Sequence, residues 1–202
     1  MSFIVRLAIL VFAIILPLGA QAGEFKVWTN NLPPVKDVKD GLPSGIIGDV
    51  LIEIMADNGI HFETGDAQLF PLKDAILLAT ETPGGIILGT MRTTERDSMF
   101  KWIGPIYTST MGFLAAKSSN IELNSVSDAN QYRVGTIVNS GSEKVAHMQK
   151  LDLEKAFRLT DNINAIDLLV GGEIDLLVFP KSSAFYLMLE ENVNPNDFEM
   201  VL

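Results

Sequence analysis

Cysteine is absent from the 202 residues of this chain. That removes a disulfide framework, a thiol nucleophile, cysteine-ligated zinc and a lipidated N-terminal cysteine. Basic residues are scarce, with 15 Lys plus Arg against 25 Asp plus Glu, and the net charge of −10 argues against a nucleic-acid binder, which needs a basic stripe to displace counterions. Histidine occurs only at His61 and His147, and neither fits a Ser/His/Asp order or a His-x-x-x-His spacing. No catalytic residue, metal site or cofactor is therefore expected, and the chain reads as a non-enzyme. Gly135 and the Gly171-Gly172 pair suit tight turns and complete no dinucleotide or phosphate-loop fingerprint. Trp28 and Trp102 read as core or cleft-wall aromatics.

Long apolar runs are missing too, except at one end. Mean hydropathy is +0.26, yet the excess is concentrated in Leu7 to Ala20, preceded by Arg6, interrupted by Pro17 and followed by Gln21-Ala22. A charged head, a short apolar stretch and a small-x-small site describe a cleavable signal peptide over residues 1–22 better than a bilayer span, which needs about 20 apolar residues. The mature protein is expected to be exported and soluble.

From Phe25 onward, short apolar runs alternate with segments of helical period, the pattern of an α/β protein. Strands are expected at Phe25 to Thr29, Ile60 to Thr64 and Ile86 to Leu88, with helices over Ile46 to Met55 and Leu72 to Ala79 and a loop from Asn30 to Ser44. After the extended run Met111 to Ala116, a second series begins. Its strands are Arg133 to Val138, Phe157 to Leu159, Ile174 to Phe179 and Phe198 to Leu202, and its helices Ser142 to Lys150, Asn162 to Val170 and Ser182 to Glu191. The division is lobe 1 over residues 23–112 and lobe 2 over residues 113–202.

Two turns could carry binding chemistry. Gly89-Thr90-Met91-Arg92-Thr93-Thr94-Glu95-Arg96 follows a buried strand, where open α/β sheets place ligands, and the forked guanidiniums of Arg92 and Arg96 suit a carboxylate. The same Thr-x-x-Arg stretch also reads as a helix cap with solvated charges. In Asn139-Ser140-Gly141-Ser142-Glu143, Ser140 and Glu143 have capping-box spacing, and the turn's outward N–H groups can hold an anion.

These pieces occur in a family-like order: Leu32-Pro33-Pro34, Gly41 to Asp49, Arg92 to Arg96, Trp102-Ile103-Gly104-Pro105-Ile106, Tyr132-Arg133-Val134-Gly135 and Gly172-Glu173-Ile174-Asp175. The chain resembles the periplasmic solute-binding proteins of polar-amino-acid ABC transporters, extracellular solute-binding family 3, over nearly all of residues 24–202. The resemblance implies a type II periplasmic binding protein fold, two lobes closing on a ligand in the cleft between them. It assigns carboxylate binding to Arg96, helped by Thr93, Arg92, Thr90 and Gly89, with Trp28 at the cleft mouth and Ser140, Gly141 and Ser142 from the second lobe. It implies a periplasmic location, capture of an amino acid or related carboxylate, and a membrane permease as partner. Sensing on the same scaffold, and dehydratase activity of the kind found on this fold, are the alternatives. Val35, Met91 and Pro180 stand where the family usually has an aromatic, a small hydroxyl residue and an acid that receives an α-ammonium. The resemblance also leads one to expect a C-terminal return to lobe 1, so the chain reads as a shortened member.

Overall fold

A computed structural model describes residues 25–202; the expected signal peptide lies outside them. Two sheets organise the chain. The first is three-stranded and parallel, in the order β4-β1-β5, from β1 (Lys26–Thr29), β4 (Ala67–Leu69) and β5 (Gly85–Ile87). Val27 pairs with Ala67 on one side and Ile86 on the other. A small hairpin, β2 (Asp37–Lys39) and β3 (Leu42–Ser44), interrupts the stretch expected as loop.

Period-2 alternation along β1 divides the first lobe's core. Val27 faces α1 (Gly45–Asp57) and joins Ile47, Leu51, Ala67 and Leu88, while Trp28 faces α2 (Leu72–Glu81) and joins Ala75 and Ala79. The helices follow the spacing of their apolar residues. Leu72, Ala75, Ile76 and Ala79 make one buried stripe on α2, and α1 stops where Gly59, at φ +74°, takes the left-handed conformation that favours glycine. The expected strand at Ile60 to Thr64 does not form. Gly41 O accepts from Gly65 N and Ala67 N, so the chain enters the sheet only at Ala67.

The second sheet has five strands in the order β10-β6-β9-β7-β8. They are β6 (Met111–Ala116), β7 (Val134–Ile137), β8 (Phe157–Leu159), β9 (Leu176–Pro180) and β10 (Phe198–Met200). β7 runs parallel to β8 and β9, whereas β6 is antiparallel to β9 and β10. Both faces are covered. Leu114, Leu177 and Phe179 pack under α4 (Asn162–Val170) and α5 (Lys181–Glu190); Phe113, Ala115, Leu176 and Val178 pack with Ala146 of α3 (Gly141–Met148). Strands covered on both sides read as continuous apolar runs, which is how Leu176 to Phe179 looks in the sequence. Gly135 lies within β7, not in a turn: a Cβ there would come within 2.5 Å of Ile174 Cδ1. Among the described residues no helix is long and apolar enough to cross a membrane.

Candidate functional site between the lobes

Parallel strands leave their following loops on one edge of a sheet, and here the two such edges meet. Each of the three junctions after β7, β8 and β9 touches the first lobe. Asn139 O accepts from Arg96 Nη2, Asn162 Nδ2 donates to Asn31 O, and Ser182 Oγ lies 2.9 Å from Tyr107 Oη. A surface ion pair, Lys144 with Glu95, adds a fourth link. The beginnings of α3 and α4 therefore lie at the seam, bringing the positive ends of their helix dipoles with them.

Arg96 is the centre of this seam. It is 2% exposed, and its Nη1 donates to Thr90 Oγ1 at 2.9 Å and Met91 O at 3.4 Å, while Nη2 reaches Asn139 across the lobes. All three acceptors are neutral oxygens. Asn139 has a left-handed backbone at φ 60°, a conformation asparagine tolerates better than most residues. Burial pushes the Arg96 guanidinium below the usual arginine range, and the nearby Glu95 carboxylate only partly opposes this. Glu95 itself is held below its usual range, first by its hydrogen bond to Lys144.

The other residues expected at the site have distinct places. Thr90 holds Arg96 directly, and Thr93 caps its turn, with Thr93 O accepting from Arg96 N at 3.0 Å. Gly89 has φ +61°, and a Cβ there would lie 2.8 Å from Ile47 Cδ1. Ser140 Oγ accepts from Glu143 N at 3.0 Å and lies 3.0 Å from Ser142 Oγ. Gly141 lies under Met91, whose Sδ would be 2.7 Å from an added Cβ. Arg92, by contrast, turns outward: Nε bonds Asp97 at 2.5 Å, and the guanidinium lies over the Trp102 ring at 5.6 Å. Trp28, expected at the cleft mouth, lies within β1 and is buried beneath α2.

The capping box expected at α3 is only half formed. Glu143 Oε2 accepts from Asn139 N at 2.8 Å, one residue before the cap, and its carboxylate also binds Thr136 Oγ1 and the Arg158 guanidinium. Burial pushes its pKa up, but Arg158, Asn139 N–H and Thr136 outweigh this and hold it below the usual range. This carboxylate supports the Asn139 turn rather than facing the seam.

Lys36 is a further cation at this edge. It is 3% exposed, and Nζ donates to Leu88 O at 3.2 Å and Gly89 O at 2.5 Å. A lone lysine after Pro34-Val35 carries no pattern that separates it from a surface lysine. Its burial arises when Leu32 and Lys36 bridge and fold the chain onto the loop after β5. At the same edge the side-chain Oδ1 atoms of Asn30 and Asn31 are buried without a donor. The buried cationic donors at this edge suit a small anion. Neither histidine is at the seam: His61 is exposed before β4, and His147 Nδ1 lies 3.2 Å from Leu151 O at the far end of α3.

The fold is the two-lobed fold of type II periplasmic binding proteins. Similar solved structures include an ancestral arginine-binding protein bound to glutamine, with 20% identity and TM-score 0.71 over 88% of this chain and 77% of that one. ArtJ, the arginine-, lysine-, histidine-binding protein from the thermophilic bacterium Geobacillus stearothermophilus, has 18% identity and TM-score 0.71 over 88% and 75%. A histidine kinase sensor domain with similarity to periplasmic binding proteins has 15% identity and TM-score 0.72 over the same shares. These likenesses show the fold. No protein-family model matches the chain, and no curated protein does.

Proposed function

We propose that this chain is a periplasmic solute-binding protein that captures a small carboxylate-bearing solute, an amino acid or a related organic acid, between two lobes. It would then deliver the solute to the permease of an ABC transporter. The observation that carries this reading is Arg96: a buried guanidinium at the meeting edge of both lobes, bonded to neutral oxygens from each. A closing cleft works by contacts that exist only when both lobes engage the ligand. Arg96 would bind the carboxylate, with Thr90, Gly89 and the Ser140 to Ser142 turn around it. Thr93 would hold the turn. Arg92 and Trp28, turned outward and buried beneath α2, stand outside the proposed contacts. Residues 1–22 would direct export, and lobes over 23–112 and 113–202 would close on the solute.

Isothermal calorimetry of the purified protein against amino acids and organic acids tests this. Saturable binding is expected, and Arg96→Ala should weaken it by about 30-fold or more, the scale of losing one partner of a buried charge pair. Binding that survives Arg96→Ala unchanged would refute the site. The sensor reading shares the fold and the site. Loss of solute uptake on deleting the gene supports transport, whereas intact uptake with a lost cellular response supports sensing.

A further inference from the structure

The seam buries two cations, and among the described residues neither forms an ion pair with a carboxylate. Lys36 uses two of its three donors on Leu88 O and Gly89 O, and Arg96 uses three of its five N–H groups on Thr90, Met91 and Asn139. Lys36 and Arg96 meet at the Leu88 to Met91 turn, which accepts hydrogen bonds from both. The charged groups nearby are otherwise engaged. Asp37 accepts from Val38 N–H and Asn31, Glu95 is bound to Lys144, and Asp49 on α1 is exposed.

Burying one unpaired charge is costly, and burying two of the same sign more so. A zwitterionic amino acid would neutralise one cation and bring another positive group beside the second. A solute with two negative charges would neutralise both. Resting on the solute-binding reading above, we propose that Lys36 is a ligand-binding and specificity-determining residue, and that the preferred solutes are small dicarboxylates without an amine. Burial and then repulsion by Arg96 lower the Lys36 pKa to about 7. A bound anion restores the charged form, so binding near and above neutral pH takes up a proton, and affinity falls as the pH rises further.

Calorimetry with succinate, 2-oxoglutarate, glutamine and arginine, at about pH 6 and about pH 8.5 in buffers of different ionisation enthalpy, tests this. The dicarboxylates should bind at least about tenfold more tightly than glutamine or arginine, with proton uptake at the higher pH. Lys36→Met should cost dicarboxylates at least about tenfold and abolish the uptake. Without ligand, Lys36→Met should melt no lower than the wild type. Tighter binding of glutamine or arginine overturns the proposal, as does dicarboxylate affinity unchanged in Lys36→Met, absent proton uptake in the wild type, or a variant that melts markedly lower. Loss of binding in Arg96→Ala together with full binding in Lys36→Met overturns the Lys36 assignment alone. No binding of any solute by the wild type overturns both readings.

Discussion

Each lobe buries charge, and they do so in opposite ways. In the second lobe, Glu143 is 2% exposed and meets Arg158 through two hydrogen bonds, with Thr136 Oγ1 and Asn139 N–H completing its surroundings. In the first, Lys36 and Arg96 are equally buried, and among the described residues their acceptors are neutral oxygens. The cores differ in the same sense. The five-stranded sheet is covered by apolar clusters on both faces, whereas the three-stranded sheet has two small ones. Under the proposed function, the difference separates charge kept for structure from charge kept for recognition. A paired ion inside a large core contributes to one folded arrangement, while an unpaired ion at an interlobe edge costs stability and makes sense through what it binds.

The largest expected effect tests the paired side. Arg158→Met leaves Glu143 buried without its cation and should cost about 3 kcal/mol in urea unfolding, the low end for breaking a buried pair because Arg158 is partly solvated. Its counterpart Lys36→Met should leave stability unchanged or raised. Equal losses in the two variants would erase the contrast.

The pH dependence gives a more specific effect. The Lys36 pKa is lowered from 10.5 to about 7, so between those values the unfolded chain carries a proton at this lysine that the folded chain has lost. This group's destabilisation is therefore full below about pH 7 and is relieved as pH rises toward 10.5. Wild-type stability should rise relative to Lys36→Met across that window. Glu143 acts at the other end, because a carboxylate held below its usual range contributes stability above that range and loses it as pH falls. Thermal melts of both proteins from acid to alkaline pH would show the two limbs.

The smallest effect concerns the Glu95–Lys144 link across the seam. Glu95 is largely exposed, and solvent screening leaves such exposed pairs with little net strength. Lys144→Ala should change solute affinity by less than about fivefold, and less still at high salt. A larger, salt-insensitive loss would mean that this pair, rather than the Arg96–Asn139 contact, governs how the lobes meet.

Much of the fold was legible in the chain. Asn162 to Val170 and Phe157 to Leu159 form the elements their patterns imply, because apolar spacing and flanking polar residues agree there. Ile60 to Thr64 misled for a physical reason: its alternation matches a strand, but β1 takes Ala67 to Leu69 as its partner after Gly41 has anchored the turn. The candidate site was legible in part. Arg96 and the Asn139 to Ser142 turn follow strands, and position after a parallel strand is readable. Lys36 was not, since burial of a lone lysine depends on which loop folds over it. Arg92 and Arg96 look alike in sequence, yet one lies over Trp102 in solvent and the other is sealed at the seam.

By itself, then, the sequence determined the alternation of strand and helix and the loops that follow the strands, because these rest on periodicity and local turn chemistry. The tertiary structure alone decided which charges lose their solvent and which find a partner. Pairing Glu143 with Arg158, and leaving Lys36 beside Arg96 with only neutral acceptors, depends on contacts between segments far apart in the chain, and no local pattern encodes them.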